Sequence, residues 1–324
     1  MPALDKPIED LLLYKGSSPC PEDIDEYWDS ALKEMKALDK KIEYKKAGFQ
    51  VPNFECYDLY YNGVKDARIH ARFVKPANID GKIPAIVRFH GYSASASGWI
   101  DLISFASCGF CVADMDCRGQ GGESEDKGGV KGNTLNGHII RGLDDEPNNL
   151  LFRHIFLDAA ELAEIIMDMP YVDENRVMAY GGSQGGGLTI ACAALEPRIH
   201  KAVAFYPFLS DYKRVWDMDM VNRAYSEIKN YFRHFDPNHK REKDVFERLG
   251  YIDVQNLAKR IKAKFLMFTG LMDDCCPPST QFAAYNKITT EKKAIFFHDY
   301  GHEGLPGSNE TAMQFFLGKE LEEI

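Results

Sequence analysis

Short apolar runs recur along the chain and alternate with longer stretches of mixed composition. Six runs have the length and apolar content of buried strands: residues 85–90, 110–116, 175–180, 202–208, 265–270 and 294–298. Helical periodicity separates several of them, most clearly at residues 151–168. This alternation predicts an α/β chain with a mostly parallel central sheet and helices on both faces. We expect residues 1–324 to form a single domain of this class.

The first part of the chain differs from this alternation. Residues 1–45 are predicted to form an N-terminal helical extension, in which residues 23–38 carry apolar side chains at helical spacing. Those side chains are Ile24, Tyr27, Trp28, Ala31, Leu32, Met35 and Leu38. Residues 54–61 and 68–74 flank Asn62-Gly63, a pattern typical of two antiparallel strands with a turn between them.

Two later segments also depart from the simple alternation. Between Cys117 and Leu143 the chain has eight glycines in a polar, acidic stretch, which we expect near the carboxyl edge of the sheet. Residues 209–262 follow a late strand and are predicted to be a helical insertion rich in aromatic residues. The pattern leaves open whether this insertion covers a site, makes a subunit contact or packs its own aromatic core.

Composition and charge exclude several classes of protein. The formal net charge is −10 and the 39 basic residues are dispersed, so the basic surface that nucleic acid requires is missing. The first ten residues lack the basic region of a secretory signal, and no segment has the length of a membrane span. The eight cysteines do not have the spacing of a zinc site or of a redox pair, which favours free thiols. These features predict a cytoplasmic protein with no membrane partner.

The segment Gly181-Gly182-Ser183-Gln184-Gly185 carries the clearest chemical signal. It lies between an apolar run that ends at Tyr180 and an apolar helical stretch, so a strand must turn directly into a helix at Ser183. Glycines two before and two after the serine remove the Cβ atoms that would clash in such a turn. The pattern predicts a nucleophile elbow with an exposed serine hydroxyl.

A serine nucleophile needs a base and an orienting carboxylate, and the chain offers both in the order Ser, Asp, His. Asp273 ends the segment that follows the apolar run 265–270, and His302 follows the run 294–298. Asp274 and His298 compete for these roles. We favour Asp273 because it is nearer the end of the strand, and His302 because it lies in a flexible loop. His298 is interpreted as a core or sheet histidine.

Stabilisation of an oxyanion requires two N–H donors. One is expected from Gln184, the residue after the nucleophile, and the other from Tyr92 in the loop that follows the strand 85–90. His90 is interpreted as an anchor for this loop. No phosphate loop or dinucleotide motif is completed, and Pro306 stands where a zinc helix beginning at His302 would need its second ligand. The sequence therefore predicts no cofactor and no metal.

Four motifs in this order resemble one family closely: Arg118-Gly119-Gln120, the segment 181–185, Gly270-Leu271-Met272-Asp273 with Pro277-Pro278-Ser279-Thr280, and His302-Glu303. The chain resembles the acetyl xylan esterase and cephalosporin C deacetylase family, carbohydrate esterase family 7, over most of its length. The residues alone indicate only a serine hydrolase, so a longer-chain esterase, a peptidase or a non-catalytic binding protein stay open on that evidence.

The resemblance implies an α/β-hydrolase fold and an esterase that removes acetyl groups from small acetylated sugars, xylo-oligosaccharides and cephalosporin C. It further implies a homo-hexamer without a cofactor. Arg118, Gln120 and Glu303 follow strands that should end at one edge of the sheet. We expect these three side chains to form a hydrogen-bonded support for the loops of His302 and Tyr92.

Overall fold

The computed structural model describes residues 4–131 and 137–324. The strands are β1 (Glu43–Lys46), β2 (Phe54–Gly63), β3 (Ala67–Pro76), β4 (Ile83–Phe89), β5 (Cys111–Met115), β6 (Val172–Gly182), β7 (Lys201–Phe205), β8 (Lys264–Gly270) and β9 (Lys292–Phe297). In the described residues they form one sheet in the order β1-β2-β3-β5-β4-β6-β7-β8-β9. Strands β1, β2, β3 and β5 pair antiparallel, and the pairings from β5 through β4 to β9 are parallel. The mostly parallel sheet is confirmed.

Helices lie on both faces of this sheet. They are α1 (Ile8–Leu11), α2 (Ile24–Lys36), α3 (Trp99–Ala106), α4 (Leu151–Met167), α5 (Gln184–Leu195), α6 (Tyr212–Asp217), α7 (Ser226–Phe235), α8 (Glu242–Leu249), α9 (Val254–Leu257), α10 (Pro278–Tyr285) and α11 (Ser308–Phe316). Neighbouring side chains of β4 point to opposite faces: Val87 packs into the core with α4 and α5, and Ile86 into the core with α3 and α11. Among the described residues, no helix has the length and apolar content of a membrane span.

The N-terminal helix forms where its pattern predicts it, at α2. It buries the apolar face that includes Trp28, whose ring stacks on Phe156 of α4 with centroids 5.8 Å apart. The indole N–H of Trp28 donates to the carbonyl of Tyr251 at 3.1 Å. This extension therefore packs on α4 and on the 209–262 insertion.

The antiparallel strands predicted at residues 54–61 and 68–74, with a turn between them, are confirmed as β2 and β3. Asn62 and Gly63 pair within the β2–β3 ladder, and the chain reverses at Val64–Asp66, where Lys65 has φ 60°. Gly63 serves a different purpose, because a Cβ there would lie 2.2 Å from a carboxylate oxygen of Asp158. The glycine makes room for a buried ion pair rather than for a turn.

Both long departures from the strand–helix alternation reach the carboxyl edge of the sheet. The described part of the glycine-rich stretch contains Gln120, which contacts the start of α5; residues 132–136 lie outside the described residues. In the insertion, Trp216 and Phe246 both pack on Phe232 and form an aromatic core. One residue of the insertion, Glu227 on α7, reaches the loop after β4. The insertion thus has a core of its own and also contacts that loop.

Candidate active site

The chain turns sharply from β6 into α5 at Ser183. This serine has φ 57° and ψ −121°, a conformation that residues with a side chain rarely adopt. A Cβ at Gly181 would lie 2.4 Å from the backbone of Gly185, and one at Gly185 would lie 2.0 Å from the carbonyl oxygen of Phe89. Both glycines are therefore required for the close approach of β6, α5 and β4. The geometry is that of a nucleophile elbow.

A continuous hydrogen-bonded chain links three of the predicted side chains. Nε2 of His302 lies 2.9 Å from Oγ of Ser183, and Nδ1 of His302 lies 2.8 Å from Oδ2 of Asp273. Oδ1 of Asp273 accepts the N–H groups of Cys275 and Cys276 at 2.9 and 2.7 Å, and the carboxylate is fully buried. These contacts fix which oxygen faces the imidazole.

The surroundings of His302 favour its protonated form. Burial by itself lowers the pKa of His302, but the hydrogen bond and the charge of Asp273 outweigh that effect and raise it above its ordinary value. The ring of Tyr206 lies against the imidazole, with centroids 4.6 Å apart. A carboxylate in this position is suited to stabilise an imidazolium.

The structure separates these residues from their competitors. The side chain of Asp274 is half-exposed and pairs with Arg223 at 3.2 Å, whereas the imidazole contacts Asp273. His298 lies in the turn after β9 and is exposed, so its interpretation as a core or sheet histidine is wrong. The aromatic run suggested a buried position for His298, but the strand β9 ends at Phe297, one residue before this histidine.

The two residues predicted to supply oxyanion donors lie on neighbouring elements at the elbow, since β4 pairs with β6. Gln184 is the first residue of α5, and Tyr92 follows β4 in the neighbouring loop. Within the described part of the chain neither N–H has an acceptor. The side chain of His90 anchors this loop, since its Nε2 accepts the N–H of Cys117 at 3.0 Å. An unpaired N–H at a helix start, together with one from a neighbouring loop, is suited to bind an oxyanion.

Gln120 and Glu227 hold the two donors in position. Gln120 accepts the N–H of Ser93 at 2.8 Å and donates to the side chain of Gln184 at 2.8 Å. The carboxylate of Glu227 accepts a hydrogen bond from the Tyr92 hydroxyl and another from the N–H of Ile140 at 3.0 Å. Burial raises the pKa of Glu227 to about 7. Sequence reasoning missed Glu227, since an acid in the first turn of a helix usually faces solvent.

The predicted cluster of Arg118, Gln120 and Glu303 is not formed. Arg118 is fully buried and binds Asp158 of α4 through two hydrogen bonds of 2.7 and 2.6 Å, and a third reaches the carbonyl of Val64 at 2.9 Å. Glu303 is exposed and accepts the N–H of Gly301 at 3.0 Å. The Arg118 side chain is buried because α4 places a buried carboxylate beside Gly63. No local feature of the sequence predicts this contact.

A cavity adjoins the hydrogen-bonded chain. Its volume is about 360 Å³, and its lining contains aromatic, apolar and polar side chains but neither Ser183 nor His302. The lining includes Tyr180, Gly182, Tyr206, Leu305 and Pro306. This volume lies at the small end of the range of roughly 300–1,000 Å³ that ligand pockets span.

Comparison with known proteins decides the family. A model of the acetyl xylan esterase (AXE1) family matches residues 1–320. The chain belongs to this family. Acetyl xylan esterase 1 from Thermoanaerobacterium sp. JW/SL YS485 is 60% identical with a TM-score of 0.95, over 97% of this chain and 99% of that one. The acetyl xylan esterase from Paenibacillus sp. R4 is 34% identical with a TM-score of 0.93, over 97% and 100% of the two chains.

Relatives known by sequence agree with this assignment. Acetyl esterase Axe7A from Xylanibacter ruminicola is 27% identical over 320 residues, which cover 95% of this chain and 69% of that protein. As a member of the acetyl xylan esterase family, the protein is a carboxylic ester hydrolase. The α/β-hydrolase fold that the sequence predicted is confirmed.

Proposed function

We propose that this family member is a serine esterase that removes acetyl groups from small acetylated sugars and xylo-oligosaccharides, and also from cephalosporin C. The observation that carries the proposal is the hydrogen-bonded chain from Asp273 through His302 to Ser183, with distances of 2.8 and 2.9 Å. In this proposal Ser183 is the nucleophile, His302 the general base and Asp273 the residue that orients the imidazole.

The chemistry proceeds through an acetyl-enzyme. His302 takes the proton of Ser183 at Nε2 while Oγ attacks the acetyl carbonyl, and the N–H groups of Tyr92 and Gln184 bind the resulting oxyanion. The imidazolium then protonates the sugar oxygen as it leaves, and the same base activates water to release acetate. None of these steps requires a metal or a cofactor. The two unpaired N–H groups support this assignment.

Two kinds of observation support an acetylated sugar as the substrate. The cavity of about 360 Å³ that includes Gly182, the residue before Ser183, is partly lined by aromatic rings, which suit the faces of a sugar. Solved relatives with 60% and 34% identity are acetyl xylan esterases, and a third relative is an acetyl esterase. Transfer of an acetyl group therefore fits both kinds of observation.

Three further properties belong to the proposal. We infer that residues 1–324 act as one domain, that the chain assembles as a homo-hexamer and that it works in the cytoplasm, where thiols stay reduced. All eight cysteines are free, and six of them are buried, which supports a reducing compartment. Multi-angle light scattering tests the hexamer, and fractionation of the source cells tests the location.

A substrate panel tests the proposal. Release of the carboxylic acid is measured with acetylated xylose, acetylated xylo-oligosaccharides, cephalosporin C, polymeric acetyl xylan and an octanoyl ester, and cleavage is measured with a short peptide, using wild type and Ser183→Ala. We expect the small acetyl esters to be cleaved fastest and the variant to be inactive. Equal rates on the acetyl and octanoyl esters would favour a longer-chain esterase, and cleavage of peptides but not of acetyl esters would favour a peptidase.

A further inference from the structure

Two thiols lie beside the imidazole of the proposed triad. The loop between β8 and α10 turns around the carboxylate of Asp273, which accepts the N–H groups of Cys275 and Cys276. This turn brings both Sγ atoms toward His302, so that each Sγ and a ring nitrogen of His302 lie within 4.8 Å of one another. The proposed reaction uses neither thiol.

We propose that Cys275, Cys276 and His302 form a binding site for a soft divalent cation such as Zn²⁺ or Cd²⁺, and that the bound ion inhibits the esterase. Two sulfur ligands and one imidazole are a donor set that soft cations prefer over Mg²⁺ or Ca²⁺. Zn–S bonds of about 2.3 Å and Zn–N bonds of about 2.0 Å place tetrahedral ligands about 3.5–3.8 Å apart. Side-chain shifts of about 1 Å therefore close the site.

The hydrogen bond from His302 to Asp273 suits the imidazole to this role. Because Nδ1 donates to the carboxylate at 2.8 Å, the proton stays on Nδ1 and the lone pair is on Nε2. Histidines that bind zinc are commonly oriented by a carboxylate in this way. A cation on Nε2 would replace the hydrogen bond from Ser183, which is 2.9 Å long. The ion would thus compete with the nucleophile for the same lone pair.

The charges and the access route are compatible with a cation. On binding, each thiol releases its proton to solvent, and the two thiolates balance the 2+ charge of the ion. Cys276 is fully buried and Cys275 is 6% exposed, whereas the side chain of His302 is 15% exposed. The ion would therefore reach the thiols through the opening at His302. A water molecule or Ser183 would complete the tetrahedron.

Sequence spacing could not predict this site. Zinc motifs place two cysteines two to four residues apart, but here the cysteines are adjacent and the third ligand is distant in the sequence. Only the fold of the β8–α10 loop joins them.

Cobalt spectroscopy combined with zinc inhibition tests the site. Reduced, metal-free wild type is titrated with Co²⁺, and we expect a thiolate-to-cobalt charge-transfer band that saturates at one ion per chain. Zn²⁺ should displace the cobalt and stop acetate release at the same stoichiometry, and EDTA should restore both. Mg²⁺ should have no effect at the same concentrations.

Matched cysteine variants locate the ion. Cys275→Ser and Cys276→Ser should lose the band and need about tenfold more Zn²⁺ or higher for half-inhibition, each relative to its own metal-free rate. Cys108→Ser, which alters an exposed thiol in the turn after α3, should behave as wild type. If the buried Cys276→Ser variant does not fold, Cys275→Ser and the wild-type spectrum still decide the question.

The outcomes separate this inference from the proposed function, on which its inhibitory part rests. Absence of the charge-transfer band, or equal Zn²⁺ sensitivity in Cys275→Ser and wild type, would overturn the metal site and leave the esterase proposal intact. A bound ion that leaves acetate release unchanged would overturn the inhibition and the role of His302 as base. Ser183→Ala, which keeps all three ligands, should show the same cobalt band whether or not Ser183 is the nucleophile.

Discussion

Replacement of Asp273 by asparagine should almost abolish activity through the tautomer of His302. Oδ1 of Asp273 accepts the N–H groups of Cys275 and Cys276, and neither backbone group can rotate away. In Asp273→Asn the amide oxygen must keep this position, so the amide NH₂ faces Nδ1 of His302. The imidazole then carries its proton on Nε2, which points at Ser183 and can no longer accept a proton.

The size of the expected loss in kcat depends on whether the asparagine amide can flip. If the amide flipped to keep the correct tautomer, two buried N–H groups would lose their acceptor, at about 1–3 kcal/mol each, or about 2–6 kcal/mol together. The wrong tautomer should therefore predominate, and kcat should fall by about 10⁴, equivalent to about 5.4 kcal/mol of transition-state stabilisation. Stopped-flow or steady-state release of acetate measures this directly.

Asp274→Asn is the matched control one residue away. Asp274 is half-exposed and its only charged partner among the described residues is Arg223 at 3.2 Å, a surface pair worth about 0–1 kcal/mol. We expect its kcat to stay within about twofold of wild type, with circular dichroism confirming that both variants fold. A loss in Asp274→Asn that exceeds the loss in Asp273→Asn would refute the reasoning and move the acid to Asp274.

Three further predictions concern titration and stability. Because its folded-state pKa is raised, His302 must lose its proton before it can act as a base, so kcat/KM should rise with pH around a midpoint above 6.5, and a flat profile would argue against this base. Arg118→Lys should lower the free energy of unfolding by about 1.5–3 kcal/mol, because a lysine cannot make the two hydrogen bonds that the guanidinium donates to Asp158. The kcat of the folded enzyme should not change. A lower kcat at unchanged stability would instead indicate that Arg118 acts in the active site. Burial raises the pKa of Glu161 from 4.5 to about 8, so the folded state keeps this proton to a higher pH than the unfolded state, and stability is lost as the pH rises between these values. The gain in Tm from Glu161→Gln should therefore be larger near pH 8 than near pH 4.5. A gain that does not change with pH would contradict this account.

Local sequence signals predicted the elements and the elbow because their causes are local. A strand that passes directly into a helix at Ser183 needs glycines at fixed offsets, and those glycines are visible in the sequence. The order of Asp273 and His302 after the serine was likewise readable, because the carboxyl ends of parallel strands meet at one edge of the sheet. The neighbouring Asp274 could be set apart only by its exposure and its contact with Arg223.

The features that the sequence did not reveal depend on contacts between distant parts of the chain. Arg118 binds Asp158, which lies forty residues later in the sequence, and the space for this ion pair exists because Gly63 lacks a Cβ. Glu227 reaches Tyr92 from the insertion, 135 residues later. Each partner is chosen by how the elements pack, and a single sequence carries no periodicity that reports such a choice.

Labelling with a fluorophosphonate tests the central claim most directly, because this reagent reacts with a serine only when a base activates it. Wild type should take up one phosphonate per chain, peptide mass spectrometry should find it on Ser183, and acetate release should fall in proportion to the label. Ser183→Ala should take up none. A fully labelled enzyme that still releases acetate, or a label on another residue that accounts for the lost activity, would contradict the assignment of Ser183 as the nucleophile.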